Sequence, residues 1–354
     1  MTFQCPWIYE ACGREDNDMV GKKSANLGEL KKAGVRVPPM FAFSVSAYEK
    51  FLTETGALEE IRKYLSGFKA DPGDARGLEK YERAGCEIRS IVESKAMPAD
   101  LEVQLAKHYE HMCTQAGIVD VPVATRSAGP ASHPGQYETY LHISGLQEVA
   151  AHVIKVWSST FNARSLIARA RHGLPLDFDP IGVCVLKMVN ARAAGVMFTL
   201  NPVNGDRSKI SVGASWGLGE AVVSGEVTND EFIIDKVTFE IIERIVSDKT
   251  FEYQRDKATG RLTRRDVPDE KRMEPCLSDQ ELLELAREAK RIEKYFGVPQ
   301  DIEWAVDEDS PFPQNIYFVQ ARPETIWSKA KAKESVDTKS IFGDLDLARI
   351  VKVY

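Results

Sequence analysis

The sequence predicts an α/β protein of two lobes, on three observations. The chain has 354 residues, and domains run to about 150 residues each. Hydrophobic residues make up 43% and charged residues 28%, which supports large buried cores and excludes a disordered chain. Helix-type patterning fills the first third of the chain. From residue 121 onward, β-branched runs punctuated by Gly, Asn and Pro take over. The expected division is residues 1–185 for the first lobe, 186–330 for the second, and 331–354 for a polar tail or docking segment.

Taken in order, residues 24–33 form a short helix that Gly34 ends in a left-handed turn. Ser46 with Glu49 reads as a capping box opening a helix through Phe51 and Leu52. Two polar-rich helices follow over 76–95 and 99–116, the second starting after Pro98. Residues 121–125 are a strand that runs into a small-residue loop over 126–135. Ser144 with Gln147 opens a further helix, and residues 160–171 form another. Strands are expected over 182–189, 195–200, 209–213, 231–235 and 239–246. Residues 248–274 carry crowded charges of both signs and read as a solvated loop or exposed hairpin. Ser278 and Glu281 cap an amphipathic helix bearing Leu282, Leu285, Ala289, Ile292 and Phe296, which Gly297 ends. Strands over 302–307 and 316–321 complete the second lobe.

Composition removes several function classes. The net charge of −7 lacks the basic footprint of a nucleic-acid binder. No run approaches the ~18 apolar residues of a membrane span, and the first residues have neither the basic start nor the apolar stretch of a signal peptide. Six scattered cysteines include no C-x-x-C pair, and six histidines include no H-x-x-x-H pair. A disulfide scaffold and a zinc site are thus disfavoured, and a cytoplasmic location is expected.

Four pieces carry possible chemistry. If Asp307 pairs with Ile316 in an antiparallel hairpin, Glu303 stands opposite Gln320 and Asp301 opposite Arg322. Period-two alternation then puts these four polar side chains on one face, and Trp304, Val306, Tyr317 and Val319 on the other. Carboxylate and amide oxygens suit a magnesium ion, and the guanidinium suits a phosphate. The same pattern also fits a structural ion pair between Asp301 and Arg322 on an open sheet. In the second piece, Val20-Gly21-Lys22-Lys23-Ser24, Lys23 precedes a helix N-terminus, where a phosphate would meet both the side chain and the helix dipole. It is not a Walker A sequence, and a lysine there can equally be plain surface. The third piece, Thr125-Arg126-Ser127-Ala128-Gly129, delivers an arginine into a Gly/Ser loop able to close over phosphates or to lie on the surface. His133 in that loop reads as a solvated histidine. The fourth, Gly217-Leu218-Gly219-Glu220, allows close backbone approach, with Glu220 placed for a ribose hydroxyl or a cation, or simply solvated.

Together the segments V-G-K-K-S-A-N-L-G-E-L, G-V-R-V-P-P, T-R-S-A, G-V-M-F-T-L-N-P, G-L-G-E-A-V-V-S-G, D-I-E-W and Q-A-R-P-E-T resemble the ATP-binding part of phosphoenolpyruvate synthase. Pyruvate phosphate dikinase and rifampicin phosphotransferase have similar parts. The matches run in order from about residue 20 to 326. The resemblance implies an ATP-grasp fold, two lobes clamping ATP, with ATP and Mg2+ as ligands. It implies contacts to nucleotide and metal from Lys23, Arg126, Asp301, Glu303, Gln320 and Arg322. Lys23, Arg126 and Arg322 would be catalytic, and Glu303 and Gln320 would hold the metal. Adenine would lie along the strand carrying Lys187 and ending near Val189, with Glu220 also in the cofactor set. Departures are Lys22 where the family usually has Gly, Leu186 where it commonly has Gln, and a loop after Arg126 without an acidic A-E-D stretch. The family passes the phosphoryl group to a histidine in a T-x-H motif on a swivelling domain, and none of the six histidines lies in such a motif. The resemblance therefore implies a phosphotransferase subunit inactive alone, with a partner subunit carrying the phosphohistidine and acceptor-substrate domains. Phenylphosphate synthase, which phosphorylates phenol, resembles such a split dikinase, and this chain looks like its ATP-binding subunit. A regulatory ATP-binding module, a carboxylate–amine ligase forming ADP, and the front end of a longer fused enzyme with its acceptor domains after residue 326 are the other readings of the same motifs.

Overall fold

The computed structural model describes residues 7–130, 136–223, 225–256 and 262–327. His133 and the 331–354 tail lie outside the described residues. Residues up to Glu29 together with Pro39–Met188 form one unit, and Leu30–Pro38 together with the residues from Val189 onward form a second. Each is built on its own antiparallel sheet, so the mixed α/β class expected from the sequence holds.

The first unit's sheet comprises β1 (Ile8–Tyr9), β2 (Met40–Phe43), β3 (Val123–Ala128), β4 (Thr139–Ile143) and β5 (Gly182–Lys187), in the order β1-β2-β5-β3-β4. Phe41, Phe43, Val123, Val183 and Val185 turn to one face and pack into the helical core. Its centre is Trp157 of helix Leu146–Ser158, fully buried, with Phe51 at 5.1 Å, Tyr48 stacked at 5.5 Å and Phe43 edge-on at 5.7 Å. Aromatic pairs in such offset and edge geometries add to plain apolar burial. The opposite face is lined with small residues: Ala42, Ala124, Ala128, Gly182 and Cys184. Smallness is required there, because a Cβ on Gly182 would lie 2.8 Å from the Val20 carbonyl oxygen.

The second unit contains β6 (Ala191–Phe198), β7 (Lys209–Trp216), β8 (Asp230–Asp235), β9 (Ile241–Ile245), the hairpin β10 (Phe251–Arg255) and β11 (Leu262–Asp266), and β12 (Gln300–Asp307) with β13 (Ile316–Pro323). Its main sheet runs β13-β12-β6-β7-β8-β9. Helix Asp279–Phe296 covers one face, burying Leu282, Leu285, Ala289 and Ile292 where β12 buries Ile302, Trp304 and Val306. The sequence reading, which divides the chain at residue 185, has no counterpart of the Leu30–Pro38 excursion. That segment goes with the second unit because Arg36 Nη1 donates to the carbonyls of Pro313 (2.7 Å) and Ile316 (3.1 Å), and the Arg36 carbonyl accepts from Phe318 N–H (2.9 Å).

Local chemistry corrects several expectations. The helix expected from Ser46 is Val45–Glu54, and its cap is Ser44, whose Oγ accepts from Ala47 N–H at 3.1 Å. Ser44 is the first residue to leave β2, so it takes the extended conformation a cap needs. The Ser144–Gln147 box does not form; Gly145, at φ 91, precedes the helix instead. The helix expected over 160–171 is Ala163–Arg171, capped by Asn162 accepting from Ser165 N–H at 2.8 Å. At Ser278 both halves of the box are present, and Gly297 closes that helix at φ 75. The charged stretch 248–274 contains the β10–β11 hairpin. Among the described residues no helix is long and apolar enough to cross a membrane.

Candidate functional site

In the first unit, two motifs a hundred residues apart in the chain meet. Gly21 has φ 77 and ψ 157, a conformation essentially reserved for glycine, and a Cβ there would stand 1.8 Å from the Ala128 carbonyl oxygen. The next residue, Lys22, donates its backbone N–H to the Gly129 carbonyl at 3.0 Å. Helix Lys22–Lys32 therefore starts against the end of β3, the strand that carries Arg126. Lys23, in its first turn, and Arg126 are both half-buried. Arg126 pairs with Cys184 and Thr139, so its side chain leaves the sheet on the small-residue face. Arg126 thus shares a strand end with the start of a helix, where side-chain charge and helix dipole have the same sign.

Lys187 and Val189 are placed differently. Lys187 pairs with Val123 and thus belongs to the face opposite Arg126. Its Nζ donates to the Met188 carbonyl at 3.3 Å. The backbone N–H groups of Lys187 and Met188 go to the carbonyls of Pro39 (2.9 Å) and Pro122 (2.8 Å), so neither is a donor for a bound base. Val189 is buried and begins the second unit.

In the second unit the polar ribbon forms with one irregularity. Asp301 pairs with Arg322 and Glu303 with Gln320, but a bulge follows, and Trp304 pairs with Phe318 and Val306 with Ile316. The expected Asp307–Ile316 pairing is therefore replaced, and Phe318 and Ile316, not Tyr317 and Val319, share the buried face with Trp304. The reason is packing: Phe318 and Ile316 are each 1% exposed beside Trp304, and one extra residue on β13 turns them inward. Before the bulge, the four polar residues stay on one face, away from helix Asp279–Phe296. Arg322 grips Asp301 Oδ2 through Nε at 2.8 Å and Nη2 at 2.7 Å, and Gln320 Nε2 donates to Glu303 Oε1 at 2.7 Å. Asp301 is nearly buried, and Glu303, Gln320 and Arg322 are half-buried.

These groups fit a magnesium ion as its supporting ligands. Magnesium keeps several waters and takes one or two carboxylates plus substrate phosphates, not an all-protein cage. Among the described residues, no group of three His, Cys, Asp or Glu is placed together to hold a metal ion.

Glu220 opens the four-residue helix Glu220–Val223 and is exposed. The turn before it is held from both sides: Gly217 N–H donates to the Arg192 carbonyl and Leu218 N–H to the Tyr253 carbonyl, each at 2.9 Å. Gly217 has φ 70, and a Cβ there would lie 2.6 Å from the Tyr253 oxygen. Beside it, burial pushes the Glu252 carboxyl above the usual carboxylate range. Sequence reasoning missed these supports. Tyr253 and Arg192 act here through backbone carbonyls, which leave no mark in residue type.

The family described as "Pyruvate phosphate dikinase, AMP/ATP-binding domain" matches residues 17–341. A probable phosphoenolpyruvate synthase of Staphylothermus marinus is 37% identical over 94% of this chain and 43% of its own length. That of Methanocaldococcus jannaschii is 36% identical over 95% of this chain and 28% of its own. The phosphoenolpyruvate synthase of Pyrococcus furiosus is 34% identical over 96% of this chain and 46% of its own. The chain thus spans less than half the length of these relatives.

Proposed function

Because the chain belongs to the pyruvate phosphate dikinase AMP/ATP-binding domain family, we propose that it binds ATP with magnesium and activates it for phosphoryl transfer to a histidine. The observation that carries this reading is the quartet Asp301, Glu303, Gln320 and Arg322 held on one sheet face by short polar contacts. Lys23, Arg126 and Arg322 neutralise charge on the phosphates. Asp301 orients the Arg322 guanidinium through two contacts to one carboxylate oxygen. Glu220 serves the ribose, and Lys187 and Val189 border the base. Glu303 and Gln320 hold the metal, which would draw charge from the phosphate oxygens. None of this asks for a nucleophile from the described residues. Positioning and electrostatic stabilisation account for most catalysis of phosphoryl transfer.

The six histidines lie outside the T-x-H pattern, so the acceptor histidine is placed outside this sequence. The finer reading is a partner chain that carries this histidine and passes the group on to phenol, with AMP and phosphate released. Its support is the resemblance to a split dikinase. The test is calorimetric titration of the purified chain with MgATP, then nucleotide analysis after a histidine-domain chain is added. Binding, followed by AMP and phosphate only when the second chain is present, is the expected result. ADP as the product would identify a ligase instead. Binding with no turnover by any acceptor chain would make the protein a nucleotide-sensing module.

A further inference from the structure

Asp230 and Lys249 form an ion pair with no solvent exposure at either side chain, Nζ to Oδ1 at 2.6 Å. The carboxylate is a junction. Oδ1 also accepts the Ser247 backbone N–H, and Oδ2 accepts that of Cys276, both at 3.0 Å. The ammonium donates again to the Ser247 carbonyl at 2.9 Å, and the Lys249 backbone N–H goes to the Arg272 carbonyl at 3.1 Å. The start of β8, the root of β10 and the approach to helix Asp279–Phe296 are thus fastened at one point. A buried ion pair rarely stabilises more than apolar residues of similar volume, because desolvation offsets the Coulomb attraction. What it supplies is direction: each donor and acceptor fixes where one backbone segment lies.

Two residues beyond Lys249 the hairpin begins, and it leads to the Gly217–Glu220 turn. The Tyr253 carbonyl receives Leu218 N–H and blocks any side chain at Gly217. Phe251 packs with Ala221 and Val227, and Tyr253 Oη donates to Glu226 Oε2 at 2.8 Å. From the other side, Arg192 holds Gly217 through its carbonyl, while its Nη1 donates to the Cys276 carbonyl at 2.8 Å. Cys276 returns to Asp230. Two grips on the turn, the Tyr253 carbonyl through the root of β10 and the Arg192 carbonyl through Cys276, are thus connected to the buried pair.

We propose that Asp230 and Lys249 are positioning residues, fixing the β10–β11 hairpin against the sheet and through it the place of Glu220. This rests on the reading of Glu220 as a nucleotide contact. The test uses the full chain with Asp230→Asn and Lys249→Met combined, which removes both buried charges together. The folded double variant is expected to bind MgATP about tenfold more weakly, the fold-change that follows from losing about one hydrogen bond to the ligand. Its Leu218 amide should exchange faster, and Glu220→Gln, harmful in the wild-type protein, should add no further loss. Unchanged affinity with unchanged exchange, or a fully additive Glu220→Gln loss, overturns the proposal. If the double variant does not fold, the same measurements apply to Tyr253→Pro, which breaks the hairpin and leaves the ion pair intact. Wild-type affinity there overturns it equally. If instead the wild-type chain fails to bind MgATP, or Glu220→Gln alone has no effect, the parent reading fails. Leu218 exchange then still decides whether the pair holds the turn.

Discussion

Glu303 shares one carboxylate oxygen with the Gln320 amide at 2.7 Å, and a glutamine in its place keeps a partner for that amide while giving up the charge. Structural and metal-holding roles therefore separate in one variant. MgATP at about a hundred times its Kd should stabilise the wild-type chain by about 2.7 kcal/mol, and EDTA should remove most of that gain. Glu303→Gln should melt near wild type without ligand and lose the metal-dependent increment. Retention of that increment would take Glu303 out of the metal site. Arg126 offers the complementary case, being half-buried on a small-residue face. Arg126→Ala should lower phosphoryl transfer in the reconstituted system by about 10²–10³-fold, the range seen when one transition-state donor is removed. The melting temperature should barely move, and unchanged turnover would count against the assignment. The pairing of Glu303 with Gln320 was legible in the sequence because strand alternation is a fixed period. The bulge one residue later was not, since it depends on whether Phe318 fits beside Trp304.

Glycines and caps carry the element scale. Gly21→Ala forces a side chain into a backbone conformation costing about 1–3 kcal/mol for any other residue, and directs it 1.8 Å from a carbonyl oxygen of the β3 end. The expected outcome is a large loss of stability of the first unit, read by denaturant titration. A near-neutral effect would mean that helix Lys22–Lys32 does not start against β3. Ser278→Ala removes one half of a formed capping box and should cost about 1 kcal/mol, read in the same way for the second unit. That box was visible in the sequence because Ser278 precedes an unambiguous apolar period. The Ser46 expectation failed because β2, four residues of Met-Phe-Ala-Phe, is too short to announce itself, and a cap is defined by where the preceding strand ends. β4 was hidden for a related reason. It is exposed to half-buried along its length and has His142 at φ 57, so it lacks both alternation and an apolar run. Helix Ala57–Ser66 was likewise passed over, its start marked only by Gly56 at φ 73.

At the scale of the whole molecule the two units differ in what their cores hold. The second unit buries an ion pair, Asp230 with Lys249. The first buries phenols. Desolvation pushes Tyr109 up to about 12, and it raises Tyr48, Tyr137 and Tyr140 as well, with Asp179 and Glu138 adding to the rise at the last two. In each case the neutral form is favoured in the folded state, so the folded pKa lies above the unfolded value of about 10. Such a group contributes stability that is complete below the unfolded pKa and is lost as pH climbs toward the folded one. The first unit should therefore weaken progressively from about pH 10 toward pH 12, as the unfolded chain sheds protons that the folded chain retains. Phenolate absorbance and near-ultraviolet circular dichroism followed through this range should change together, because Tyr48 stacks on Trp157 and cannot ionise while that packing lasts. Tyr48→Phe, which removes the most deeply buried of these phenols, should shift the transition to higher pH. Phenols that titrate near pH 10 while the Trp157 signal persists would show that these side chains are not buried as described.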